Sequence, residues 1–115
     1  MSYKLALIVR NDLKMSKGKI AAQTGHAVVD ATVAAIENGK LCKWQQDGET
    51  IIVLKEENEK TLNTVLEIAT RKKVSNGRVF DAGHTEVANG TCTVGFVGPD
   101  KTDKIDKLTS QLKCL

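Results

Sequence analysis

Five apolar residues in an unbroken row, Leu5-Ala6-Leu7-Ile8-Val9, stand near the start of this chain and end at Arg10. The run is far too short for a membrane span, which needs about 20 residues. It also lacks the alternation of a strand with one wet face. It reads as a strand from Tyr3 to Arg10 that is buried on both faces. The residues that follow supply the covering layers. Asn11 to Ser16 is a loop, and Ser16 suits the N-cap of a helix from Lys17 to about Asn38, stopped by Gly39. That helix is rich in Ala and Val almost all round, which predicts cover on more than one side.

Thr50 to Lys55 is a second buried strand. Asn58 or Glu59 opens a second helix reaching about Lys73, with Leu62, Val65, Leu66 and Ala69 as its one apolar stripe. Arg71, Lys72 and Lys73 sit in its last turn, where cations complement the helix dipole. Arg78 to Asp81 ends a third strand, Thr91 to Val97 is a fourth, and Lys101 to Lys113 is a final amphipathic helix. This order predicts an α/β fold, a small three-layer α/β/α sandwich on a four-stranded mixed sheet. Right-handed crossovers are expected where neighbouring strands run parallel. The only proline is Pro99, and there are no repeats or low-complexity tracts, so residues 1–115 read as a single domain.

A net charge of +3 permits nucleic-acid binding without requiring it. Cys42, Cys92 and Cys114 form no C-x-x-C pair. Their odd count and spacing indicate neither a zinc site nor a disulfide framework, but reduced thiols in a cytosolic protein. Cys92 reads as a small apolar strand residue. No targeting segment is visible, and the chain is expected to enter its fold directly at the N-terminus.

Sites in α/β sheets gather at the carboxyl ends of strands. Two segments qualify, Asn11–Lys19 and the stretch from Asp81 to Asn89. In the first, Lys17, Gly18 and Lys19 open a helix. A lysine there opposes the dipole, so it suits an anion lodged between ammonium and backbone N–H groups, and Gly18 allows close approach. A solvated surface lysine is the plainer reading. The G-x-x-x-x-G-K-[ST] phosphate loop is absent. Lys19, Gln23, His26 and Asp30 share one helix face, as a site wall or a solvent-facing edge. His26 alone is more often structural than a base. Asp81 either accepts in an ordinary Asx turn or orients a water as a base. Thr85, Thr91 and Thr93 are hydrogen-bond donors, and Thr91 and Thr93 share a strand face.

Taken together, these segments resemble the type 2 peptidyl-tRNA hydrolases of archaea and eukaryotes. The anchors are Val9-Arg10-Asn11-Asp12-Leu13-Lys14-Met15, Lys17-Gly18-Lys19-Ile20-Ala21-Ala22-Gln23 with His26-Ala27, Asp81-Ala82-Gly83, and Gly98-Pro99 before the last helix. The resemblance covers about Leu5 to Leu115. It implies a cytoplasmic homodimer that cleaves the ester between a peptide and the tRNA 3′ ribose, recycling tRNA released early from ribosomes. No metal or organic cofactor and no membrane is implied. Family catalytic positions fall on Lys19, Asp81, Thr85 and Thr93. Gln23 and His26 match motif positions.

Two departures stand out. The family loop commonly reads Asp-Ala-Gly-Arg-Thr, and His84 replaces that arginine. Asn89-Gly90 stands where a proline often precedes the loop glycine. The charge at His84 would therefore follow pH near neutrality. Aromatics are scarce, so tRNA is expected to be held through phosphates, by Lys14 and Lys17 with Arg10, Lys72 and Lys73. The alternative is a tRNA- or RNA-binding module without hydrolysis, which needs only the basic surface.

Overall fold

The computed structural model describes residues 2–82 and 90–115. Strands β1 (Tyr3–Arg10), β2 (Ile51–Glu56), β3 (Asn76–Phe80), β4 (Cys92–Lys101) and β5 (Lys113–Cys114) form one mixed sheet in the order β3-β4-β1-β2-β5. Helices α1 (Lys17–Asn38) and α2 (Leu41–Gln46) cover one face, while α3 (Glu59–Arg71) and α4 (Thr102–Thr109) cover the other. The unbroken apolar run explains both layers. Leu5, Leu7 and Val9 of β1 pack with Ala27, Ala31 and Trp44, whereas Ala6 and Ile8 pack with Leu62, Leu66 and Ile105. Successive residues of one strand thus serve two cores, as a period of two requires.

The sheet has five strands where the sequence predicted four. The final helix stops at Thr109 rather than Lys113, and Lys113–Cys114 returns to pair antiparallel with Leu54 and Lys55 of β2. A two-residue edge strand carries no periodicity of its own, so it is invisible until its partner is in place. β4 runs through Gly98-Pro99 to Lys101, beyond the predicted end at Val97. Pro99 is tolerated because the β1–β4 register shifts between Lys4 and Ala6, where a missing N–H leaves no gap in the ladder. The short helix α2 was also not foreseen. It seats Trp44, which is buried and donates from Nε1 to the Thr50 carbonyl at 3.0 Å.

The predicted caps at Ser16, Gly39 and Asn58 are observed, while α3 ends at Arg71 rather than about Lys73. The Ser16 side chain accepts from Lys19 N–H at 3.2 Å, and Gly39 adopts φ 78° at the C-cap of α1. Asn58 caps α3, accepting from Thr61 N–H at 2.8 Å. The expectation that α1 is covered on several sides is not met within one chain. Only Gln23, Ala27, Ala31 and Ala35 are buried, and Val29, Val33 and Ile36 are 52–61% exposed.

The turn between β1 and α1 is pinned by an ion pair. Arg10 donates from Nε and Nη2 to Asp12 at 3.0 and 2.7 Å, and from Nη1 to the Cys92 carbonyl at 3.0 Å. Hydrogen bonding to Asp12 raises the Arg10 pKa above its ordinary value despite burial, and the same bond lowers the Asp12 carboxyl. A carboxyl lowered in the folded state stabilises the fold above its unfolded value. That contribution is lost as pH falls through the folded value. Thermal melts should therefore show the wild-type midpoint declining more steeply than that of Asp12→Asn as pH falls from about 5 to about 2. Parallel slopes would mean that the pair does not stabilise this turn.

Candidate active site

The Asn11–Lys19 segment and Asp81 lie at one end of the sheet. β4 is antiparallel to both β1 and β3, with Val94 opposite Val9 and Val79, so the carboxyl ends of β1 and β3 point the same way. β1 delivers the turn that starts α1, and β3 delivers Asp81. There the Lys19 ammonium donates to the Asp81 carboxylate in direct contact. Their side chains are only 12% and 3% exposed. The Asp81 main chain is tied as well, its N–H donating to the Thr91 carbonyl and its own carbonyl accepting from Gly90 N–H, each at 2.8 Å. A carboxylate this buried carries its charge only with a partner, and Lys19 is that partner.

Gln23 and Thr93 form the second polar element. The β3–β4 register shifts between Val79 and Phe80, so that Phe80 faces Cys92 and Val79 faces Val94, leaving Thr93 as the extra residue of a bulge. A bulge re-aims a side chain. Here the Thr93 hydroxyl lies against α1, accepting from Gln23 Nε2 at 2.6 Å and donating to the Val79 carbonyl at 3.3 Å. Its one proton is thereby committed. Thr93 is fully buried and acts on its surroundings through Gln23. The neighbouring Cys92 belongs to the core against α3, and burial pushes its thiol pKa up, which makes it a poor nucleophile.

A pocket of about 800 Å³ opens over these groups, bordered by Lys19, Gln23, His26 and Asp30 of α1 and by Arg78 to Ala82. The polar face of α1 therefore lines this pocket. Lys14 and Lys17 are exposed, Lys14 in a left-handed turn at φ 54° and Lys17 between Ser16 and Gly18 of the pocket lining. His84 and Thr85 lie outside the described residues. Arg10 is not a surface contact for phosphate, because it is buried under Asp12 and the Cys92 carbonyl. Lys72 and Lys73 follow α3, ahead of β3, at the opposite end of that strand from Asp81. The clue to Arg10 was the Arg-x-Asp spacing, which lets one turn close on itself. The Gln23–Thr93 bond had no sequence signal, since it depends on the bulge. Among the described residues, no group of three or more His, Cys, Asp or Glu could hold a metal ion.

This arrangement can hydrolyse an activated carbonyl. A buried carboxylate can accept a proton from water, and an ammonium beside it can meet the developing oxyanion. The comparisons agree with that chemistry. A sequence model of the family described as peptidyl-tRNA hydrolase PTH2 matches residues 3–115. Peptidyl-tRNA hydrolase of Methanocaldococcus jannaschii is 38% identical over 114 residues, covering 97% of this chain and 99% of its own. That of Methanothermobacter thermautotrophicus is 43% identical over 115 residues, with 97% and 99% covered. The human relative named peptidyl-tRNA hydrolase 2, mitochondrial, is 42% identical over 113 residues, which span 96% of this chain and 63% of the relative. A solved structure of a protein of unknown function from Agrobacterium tumefaciens superposes with a TM-score of 0.69 at 12% identity, over 100% of this chain and 98% of that one. That likeness concerns the fold alone.

Proposed function

Because the chain belongs to the PTH2 peptidyl-tRNA hydrolase family, we propose that it cleaves the peptide–tRNA ester at the Lys19–Asp81 pair. It is a hydrolase of peptidyl-tRNA. The observation that carries the site assignment is the buried contact between the Lys19 ammonium and the Asp81 carboxylate at the floor of the pocket. Asp81 takes a proton from a water as its oxygen attacks the ester carbonyl. Lysine has three donors, so Lys19 can hold Asp81 and still donate to the oxyanion. Collapse breaks the bond to the ribose 3′ oxygen, which takes that proton from Asp81 as it leaves as a hydroxyl, and the new peptide acid gives its own proton to solvent and departs as a carboxylate.

Thr93 positions Gln23 at the pocket wall, and His26 borders the scissile end; Thr85 has a catalytic role and His84 a substrate-binding one in this reading. The tRNA phosphates meet Lys14 and Lys17, and the reaction returns stalled tRNA to translation in the cytoplasm. No helix among the described residues is long and apolar enough to cross a membrane. Release of the acyl group from an N-blocked aminoacyl-tRNA, with Asp81→Asn alongside, is the test. Retained release in that variant would remove the assignment.

The working unit in this reading is a homodimer. Val29, Val33 and Ile36, at 61%, 52% and 61% exposure, form an apolar stripe on the outer face of α1. A second copy laid on it would bury the exposed part of all three, about 1 kcal/mol each. Val33→Asp should turn a dimer into a monomer in sedimentation equilibrium, and an unchanged mass would place the contact elsewhere.

A further inference from the structure

Among the described residues β3 is the last strand on its side of the sheet, so one row of its main-chain groups has no strand there to bond. Its inner partners show which row. The Ser75 carbonyl accepts from Gly98 N–H at 2.7 Å, and Asp81 N–H donates to the Thr91 carbonyl at 2.8 Å. Both residues therefore turn their peptide groups toward β4. Antiparallel pairing alternates along the strand, and the bulge lies in β4, not β3. The peptide groups of Asn76, Arg78 and Phe80 consequently face outward.

The catalytic pocket reaches this free edge, since Arg78 and Phe80 border it. Arg78 does so through its main chain, because its guanidinium is held on the other face by Asn63 Oδ1 of α3, at 3.0 and 3.2 Å. A second depression, of about 470 Å³, lies in line at the far end of the strand, between Ala34, Glu37 and Asn38 of α1 and Ser75 and Asn76. The free edge of β3 and the flank of α1 thus wall a path that begins at Asp81 and runs back to Asn76.

Charge separates the two ways out of the site. Lys14 and Lys17 stand at the N-terminal side of α1, whereas along the path α1 presents Asp30 and Glu37, which repel phosphate. Lys73 stands only at its far end.

We propose that the peptide portion of the substrate occupies this path as an added strand, its main chain bonded to Arg78 and Phe80. The inference rests on placing hydrolysis at Lys19 and Asp81. The ester is at the peptide's carboxyl end, so the peptide runs parallel to β3. Main-chain pairing gives affinity without reading side chains. The five residues of β3 span about 17 Å, enough for a peptide of about four or five residues.

The test measures kcat/KM for tRNA carrying one N-acetylated residue and for tRNA carrying Gly/Ala peptides of about two to six residues. The value should rise roughly tenfold or more up to about four or five residues, then level. N-methylating alternate amides in one register should abolish the gain, and in the other register should leave it. Hydrolysis that ignores peptide length, or equal losses in both registers, overturns the proposal. So does slow amide exchange at Arg78 and Phe80 without substrate, which would mean that a second copy already pairs there. Wild-type rates from Asp81→Asn on the single-residue substrate would overturn the site assignment instead, a result separate from the length series.

Discussion

Asp81→Asn should slow ester cleavage by about 10²–10⁴ while tRNA still binds, the range expected for losing a positioned general base. The substitution keeps the shape of the side chain and its place after β3. It removes the group that accepts the proton. It also puts an amide where Lys19 now donates to a carboxylate, so an N–H can face the ammonium. The measurement is single-turnover release of the acyl group from N-blocked aminoacyl-tRNA at saturating enzyme, with a thermal melt to confirm the fold. A loss smaller than tenfold would reduce Asp81 to a structural anchor for Lys19. Because Asp81 is 3% exposed on its side chain, some loss of stability is expected, and rates belong well below the variant's melting midpoint.

Lys19→Ala should cost about 10²–10³ in kcat, the usual penalty for deleting a preorganised oxyanion donor. Lys19 sits in the first turn of α1, where its charge opposes the helix dipole. Asp81 offsets that disadvantage in the free enzyme, and the oxyanion would add to it during the reaction. Lys19→Arg should not restore the full rate, since a planar fork replaces a compact ammonium. The double variant tests whether the two residues act as a unit. If they do, Lys19→Ala with Asp81→Asn should be about as slow as the slower single variant, far from the product of the two losses. A change of less than about threefold in Lys19→Ala alone would reject the donor role.

Much of the outcome was legible in local chemistry. The apolar run at Leu5–Val9 implied a strand with two covered faces, and the two cores use its alternate residues in that way. Ser16, Gly39 and Asn58 marked helix ends because capping depends on one or two residues and no distant partner. The polar spacing Lys19, Gln23, His26, Asp30 marked one helix face because helical geometry is fixed by the chain itself.

Other features needed the assembled sheet. β5 exists only because β2 offers it an edge. Arg10 looked like a cation for phosphate until β4 brought the Cys92 carbonyl over it. Thr93 reaches Gln23 because a single extra residue in β4 turns it toward α1, and a bulge is a relation between two strands. The Ala/Val-rich helix implied cover on several sides, yet among the described residues no element covers Val29, Val33 and Ile36.

The sequence by itself determined the four long strands, the long helices and their caps, the two polar segments and the family, since each is carried by short motifs or local periodicity. Only the tertiary structure decided that Lys19 meets Asp81, 62 residues apart. It also decided which row of β3 stays free. Both are set by strand order and register, which no local run of residues encodes.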